Sequence, residues 1–202
     1  MRRIILTMQE ILMNFCNTCI TKRFYNLRTL TEVIPMKKII AVLAATFMFG
    51  AFSFAEGYIN GNDLEKGQIT SEKQEEDGFV LVGSVEKPME VKKCDTRTVG
   101  DDTFTQCIST KGSGNAKKGE RLITFPVKAG ETVKILCNNS GSGSRPLHLV
   151  NMDTLEEVKV IAAGSYKEGD VHIDSTKISA AGTYAVFSTS GGMYIYKIEI
   201  SK

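Results

Sequence analysis

The stretch GTYAVFSTSGGMYIYKIEI, from Gly182 to Ile200, decides the fold class. Two runs rich in β-branched and aromatic residues flank a Ser-Gly-Gly turn, the pattern of a closing β-hairpin. On the last run Tyr196, Ile198 and Ile200 share one face, and Lys197 and Glu199 share the other. The charged face belongs to solvent, so Tyr196 is expected inward, its hydroxyl needing a partner. Tyr184 and Val186 share a face across the turn and are expected to join it, with Phe187 on the opposite face. Rings left over for a ligand are Phe187, Tyr194 and the loop residue Tyr166.

The same texture extends back to Phe79. GFVLVGSV, DTFTQCIST, RLITFPV, ETVKILC, RPLHLVNM and EEVKVIAA recur about every ten residues, separated by Gly, Asn, Asp, Ser or Pro. In TVKILC, Val133, Ile135 and Cys137 fall on one face, and Lys134 and Leu136 on the other. No helical periodicity interrupts these runs. The expected fold is all-β, an antiparallel β-sandwich of jelly-roll type over residues 79–202.

Upstream of it the chain changes character twice. MKKIIAVLAATFMFGAFSFAEG, from Met36, has a Lys37-Lys38 head, an uncharged apolar run from Ile39 to Phe54, and small residues at Ser53 and Ala55. That is the pattern of a secretory signal peptide over 36–55, cleaved near Ala55. The run is short for a permanent membrane span; an uncleaved anchor is the alternative. Residues 1–35 are expected to be a mis-assigned upstream extension, with Met36 the start. Their Cys16-x-x-Cys19 pair has no second pair or nearby His and is a weak metal or redox signal. Residues 56–78 carry seven carboxylates, two lysines and few large apolar groups, which predicts a flexible acidic tether.

Charge follows the same division. Residues 1–55 hold seven of the 25 basic and two of the 23 acidic residues, leaving 18 basic against 21 acidic and a net of −3. A mildly acidic exported domain with no Lys/Arg cluster has no reason to bind nucleic acid. Once cleaved it holds no membrane segment. HExxH, GxSxG and a phosphate-cradling glycine loop are absent from the mature part. His148 and His172 each lie between apolar neighbours and read as solvent-facing or loop-capping side chains. Asp101, Asp102, Glu156, Glu157 and Asp170 resemble an ordinary acidic surface more than a pair placed for sugar hydrolysis. No organic cofactor is implied, although oxygen-rich loops of this kind suit a structural calcium.

Cys137 reads as a small apolar core residue. Cys94 and Cys107 flank a turn at Val99-Gly100-Asp101-Asp102. A hairpin centred between Gly100 and Asp101 sets them directly opposite each other, with Cα atoms about 4.5–5.5 Å apart and within disulfide reach. Export to an oxidising compartment favours that bond; two unrelated thiols is the other reading.

Three segments taken together resemble a known family. They are FTQCISTKGSGNAKKGERLITFPVKAGETVKIL (Phe104–Leu136), RPLHLVN (Arg145–Asn151) and AAGTYAVFSTSGGMYIYKIEI (Ala180–Ile200). Phe104-Thr105, Gly112-Ser113-Gly114, Arg121-Leu122 with Phe125, Glu131-Thr132-Val133, Arg145 with Leu147, Gly182-Thr183-Tyr184 and Ile195-Tyr196-Lys197-Ile198 follow one another as in the carbohydrate-binding-module-like β-sandwich appended to secreted bacterial pectate lyases and glycoside hydrolases. Phe125 is displaced by one position from that pattern. The resemblance implies a non-catalytic module for carbohydrate or surface glycan. The rival reading is a structural or adhesive cell-envelope protein that binds no sugar.

A sugar site needs a flat ring beside fixed polar groups. Asn139 and Arg145, at the ends of a Gly-Ser loop, and Tyr166, in AAGSYKEGD, are expected to gather at one rim of the sandwich. Against this, Arg145 could pair with Asp153 or Glu156, and Tyr166 could only cover a loop. Neither the ligand nor the oligomeric state is legible in the sequence.

Overall fold

A computed structural model of the protein describes residues 57–202; the segments expected to be an upstream extension (1–35) and a signal peptide (36–55) lie outside them. The described chain is an antiparallel β-sandwich of thirteen strands. They are β1 (Gly57–Asn60), β2 (Gly67–Ile69), β3 (Glu72–Gln74), β4 (Val80–Val82), β5 (Met89–Val99), β6 (Asp102–Ser109), β7 (Leu122–Val127), β8 (Thr132–Asn139), β9 (Arg145–Asn151), β10 (Glu157–Ala163), β11 (His172–Lys177), β12 (Gly182–Phe187) and β13 (Met193–Ser201). One sheet runs β11-β8-β13-β6-β5-β2, with β1 added beside β13; the other runs β10-β9-β12-β7-β4-β3. No helix among the described residues is long and apolar enough to cross a membrane.

Alternation builds the core between the sheets. Val133, Ile135 and Cys137 of β8, Leu147 and Leu149 of β9, and Tyr184 and Val186 of β12 all point into it. Phe79 and Phe125 meet there with ring centroids 5.2 Å apart. Each fully buried Leu, Ile or Phe contributes about 1.5–3 kcal/mol relative to exposure. Tyr184 brings a hydroxyl inside, where it donates to the Ala180 carbonyl at 2.6 Å and accepts from Asn151 Nδ2 at 3.3 Å.

The last two strands do not form a hairpin. β12 lies in one sheet between β7 and β9, and β13 in the other, paired with β8, β6 and β1. Both edges of each strand are occupied, so the Ser-Gly-Gly turn crosses from sheet to sheet. Tyr196 is also placed differently from the simple alternation. A bulge between Ile195 and Lys197 shifts the register, so Ile195, Ile198 and Ile200 enter the inter-sheet core. Tyr196 passes to the other face, where it packs with Phe104, Cys107 and Leu136. It is buried there all the same, and its hydroxyl donates to Asn138 Oδ1 at 3.0 Å. Phe187 lies on the face opposite Tyr184, as its position in the strand requires.

Residues 57–78, expected as a tether, are strand-forming. β1 pairs with β13 from Gly57↔Ile200 to Asn60↔Lys197, β2 pairs with β5, and β3 with β4. The segment contributes Ile59 and Ile69 to the core while its carboxylates other than Glu75 stay exposed, Glu75 being half-buried beside Lys73. Few apolar residues suffice because the sheets already offer open edges to pair with. Asn62 fixes the turn after β1: its Oδ1 accepts from the Thr105 and Gln106 amides at 2.9 and 3.1 Å, and its Nδ2 donates to the Thr103 carbonyl at 2.7 Å. Gly83 is required nearby, since a Cβ there would stand 2.1 Å from the Ile69 carbonyl oxygen.

The Asp102-side hairpin starts in the expected register, with Val99↔Asp102, Thr98↔Thr103 and Arg97↔Phe104. A bulge then intervenes, and beyond it Lys93 faces Gln106 and Lys92 faces Cys107. Cys94 is therefore not the residue directly opposite Cys107, and both are free thiols in the structure.

Two outcomes follow from this packing. Asn62→Ala leaves three backbone groups of β6 without their partners and should cost about 1–3 kcal/mol, read as a lower thermal midpoint and faster proteolysis within 57–65. Burial, with Asp174 adding to it, pushes the Cys137 thiol up to about 12 from 9.0. Below pH 9 the thiol is protonated in both states; above it the unfolded thiol ionises first, so stability falls as pH rises towards 12. This one group accounts for about 1.4 kcal/mol per pH unit in that window, and chemical denaturation of Cys137→Ala should show a shallower decline.

Candidate functional site

The loop after β10 places Tyr166. Ser165 accepts from the Lys167 amide at 3.2 Å and starts a 3₁₀ turn over Tyr166–Glu168. The Ser165 hydroxyl donates to the Gly141 carbonyl at 2.6 Å, and the Asn139 amide donates to the Gly164 carbonyl at 2.9 Å. Asn138 Nδ2 holds the far end of the loop through the Asp170 carbonyl at 2.7 Å. The loop is thus sewn to the end of β8, which is why Tyr166 lies at a fixed place on the sheet.

Its ring lies against Tyr194 of β13, edge to face, with centroids 5.0 Å apart and planes at 88°. Both rings are half-buried. Strand β5, at its bulge and on either side of it, supplies what surrounds them. The Arg97 guanidinium carbon stands 4.8 Å from the centre of the Tyr166 ring, and its two terminal nitrogens donate to the Tyr166 and Gly169 carbonyls at 2.7 and 3.0 Å. The Tyr166 hydroxyl donates to the Asp95 carboxylate. That hydrogen bond, with some burial, raises the phenol's pKa and keeps it a donor. Lys92 Nζ donates to the Tyr194 hydroxyl at 3.0 Å and lies 4.5 Å from the ring centre. Burial opposes the Lys92 charge, but the Tyr194 hydrogen bond and nearby groups outweigh it, and its pKa rises. The result is a two-ring surface edged by two cations and one carboxylate.

Asn139 and Arg145 are neighbours, but they serve another purpose. The buried Asn139 side chain accepts from the Gly141 amide at 2.5 Å and donates to the Gly143 carbonyl, closing the 139–145 loop on itself. The Arg145 guanidinium lies on two glycines: a Cβ at Gly191 or Gly141 would come within 2.3 or 2.6 Å of it. It donates to the Gly192 carbonyl at 3.4 Å, and among the described residues it forms no ion pair with Asp153 or Glu156. Asn139 reaches the Tyr166 loop only through its main chain, in a bridge to Ser165. Of the three residues expected to converge, two meet, and the ring of the third joins Tyr194 and Asp95. Lys92, Asp95 and Arg97 had no signal in the sequence beyond lying in KKCDTR.

Phe187 is too enclosed to serve as a platform; it stacks on His148, with centroids 5.6 Å apart. His148 is occupied by Glu157 at 2.5 Å and Thr189 at 2.9 Å. Among the described residues no group of three or more His, Cys, Asp or Glu is arranged to hold a metal. A cavity of about 190 Å³ lies between β1 and the turn at Glu76–Gly78, walled by Tyr58, Asp63, Leu64, Glu75 and Asp77, and it includes none of the tyrosine-pair residues.

No protein-family model matches the chain, and no curated protein does. Solved structures that resemble the chain include carbohydrate-binding modules. A family 35 module from Clostridium thermocellum is 12% identical, with 74% of this chain and 100% of that one covered and a TM-score of 0.39. The CBM36-1 domain of a multidomain xylanase from the hindgut metagenome of Trinervitermes trinervoides is 11% identical over 73% of this chain and 97% of that one, with a TM-score of 0.38. A module of Cellvibrio mixtus lichenase 5A, solved with cellotriose, is 13% identical over 72% and 96%, with a TM-score of 0.37. The sandwich architecture itself rests on the strand order and core of this chain.

The role of Arg97 can be checked without any ligand. Arg97→Ala removes two hydrogen bonds to the loop and the cation beneath the ring, and hydrogen exchange across 164–170 should quicken while that of β8 and β13 stays slow.

Proposed function

We propose that this domain is an exported, non-catalytic module that binds carbohydrate or surface glycan on the Tyr166–Tyr194 face. The observation that carries the reading is the pair of half-buried rings edged by Lys92, Asp95 and Arg97. Sugar rings present apolar C–H faces that pack on aromatic rings, and hydroxyl rims that need charged hydrogen-bonding partners. Asp95 supplies acceptor oxygens; Lys92 and Arg97 supply donors. Both tyrosines are restrained by groups already in place, so little ordering cost attends binding. Asn139 and Arg145 are assigned a supporting role: they hold the 139–145 loop against which Ser165, and so Tyr166, is positioned.

The test is retention on a glycan array followed by titration calorimetry. Tyr166→Ala and Tyr194→Ala should each weaken binding about tenfold, equivalent to about 1.4 kcal/mol, with thermal midpoints within a few degrees of the parent. Unchanged affinity in both variants would remove the site. A domain that retains no glycan at all would favour the structural or adhesive envelope reading.

A further inference from the structure

Beneath the tyrosine pair lies a second group with chemistry of its own. Three residues of the β5 bulge, Cys94, Asp95 and Thr96, stand between the pairs Lys93↔Gln106 and Arg97↔Phe104, opposite the single residue Thr105. The extra length lets Cys94 turn towards the cluster of Phe104, Cys107, Leu136 and Tyr196, against which it packs. The two thiols belong to one packed cluster although their backbones are out of register. Cys94 is partly exposed and Cys107 fully buried. A hydrogen bond from Cys107 pulls the Cys94 thiol down, with Arg97 assisting against burial. The same bond, reinforced by burial, pushes Cys107 up. The outer sulfur is therefore the nucleophile and the inner one its resolving partner.

We propose that Cys94 and Cys107 are a reversible redox pair, and that oxidation by thiol–disulfide exchange fastens the bulge that holds Tyr166. The oxidant is a small disulfide such as oxidised glutathione. The Cys94 thiolate attacks one sulfur of it, forming a mixed disulfide and releasing one thiol. Cys107 sulfur then attacks Cys94 sulfur, its proton passing to the departing thiolate, and a second thiol leaves. The protein loses two hydrogens and the oxidant is reduced to two thiols. The bulge matters because Asp95 and Arg97, which follow Cys94 closely in the chain, make the contacts that hold the 164–170 loop. The inference stands on the thiols and the bulge, independently of what the tyrosine face binds.

The experiment uses the folded protein equilibrated with reduced or oxidised glutathione, alkylated and digested with trypsin. Cleavage after Lys93, Arg97 and Lys111 isolates the two cysteines on separate peptides, 94–97 and 98–111. The expected result is a cross-linked pair of these peptides in the oxidised sample, abolished by reductant, together with several-fold slower hydrogen exchange over 164–170. In Cys107→Ala the oxidant should stop at a glutathione adduct on Cys94 and leave that exchange unchanged. Glutathione adducts without a cross-link in the parent protein would overturn the redox pair. A cross-link with unaltered loop exchange would overturn its control of Tyr166.

Discussion

The structure depends on one demand placed on β13: it must bury side chains on both faces. It lies inside its sheet, with β8 along one edge and β6 and β1 along the other. Ile195, Tyr196 and Ile198 are all inaccessible to solvent. A regular strand cannot send 195 and 198 to the same face. The bulge between Ile195 and Lys197 resolves this by inserting one residue, so that the isoleucines seal the sandwich and Tyr196 closes the cluster on the other side. The bulge also leaves Tyr194 half-buried on the outer surface, where Tyr166 meets it. The core and the candidate ligand face are two consequences of a single irregularity.

A second bulge, in β5, completes the arrangement. It takes a hairpin that begins in ordinary register and swings Cys94, Asp95 and Arg97 over the rings and thiols of the outer face. Arg97 there stands over the Tyr166 ring, and burial is the main cause that pushes the pKa of the nearby Tyr196 phenol up. A cation held against a partly desolvated ring contributes on the order of 0.5–2 kcal/mol, comparable to the two hydrogen bonds it also donates to the loop. Bulges tend to occur where a sheet must re-aim side chains, and here both are within reach of the same two tyrosines. A sandwich of this kind is a scaffold common to many activities, so function must be argued from such a site and not from the fold.

Much of this was legible in the sequence. Strand texture and turn residues gave an antiparallel sandwich, and period-two alternation placed Val133, Ile135, Cys137, Tyr184 and Val186 in the core, because burial on one face of a regular strand is a local property. Alternation likewise set Tyr194 apart, and Tyr166 stood out as a loop ring with no alternating neighbours, whereas Phe187, named beside them, is enclosed against His148. Tertiary structure decided the rest. Whether a turn closes a hairpin or crosses between sheets depends on which strand edges are free, and the partners of β12 and β13 are distant in sequence. The acidic 57–78 segment gains its order from edges that other strands supply. Bulges have no period to detect, yet they set the face of Tyr196, the register of Cys94 against Cys107, and the approach of Lys92, Asp95 and Arg97 to the rings. Sequence determined which side chains this protein has to bury and which it can show; only the pairing of remote strands decided which of them stand together.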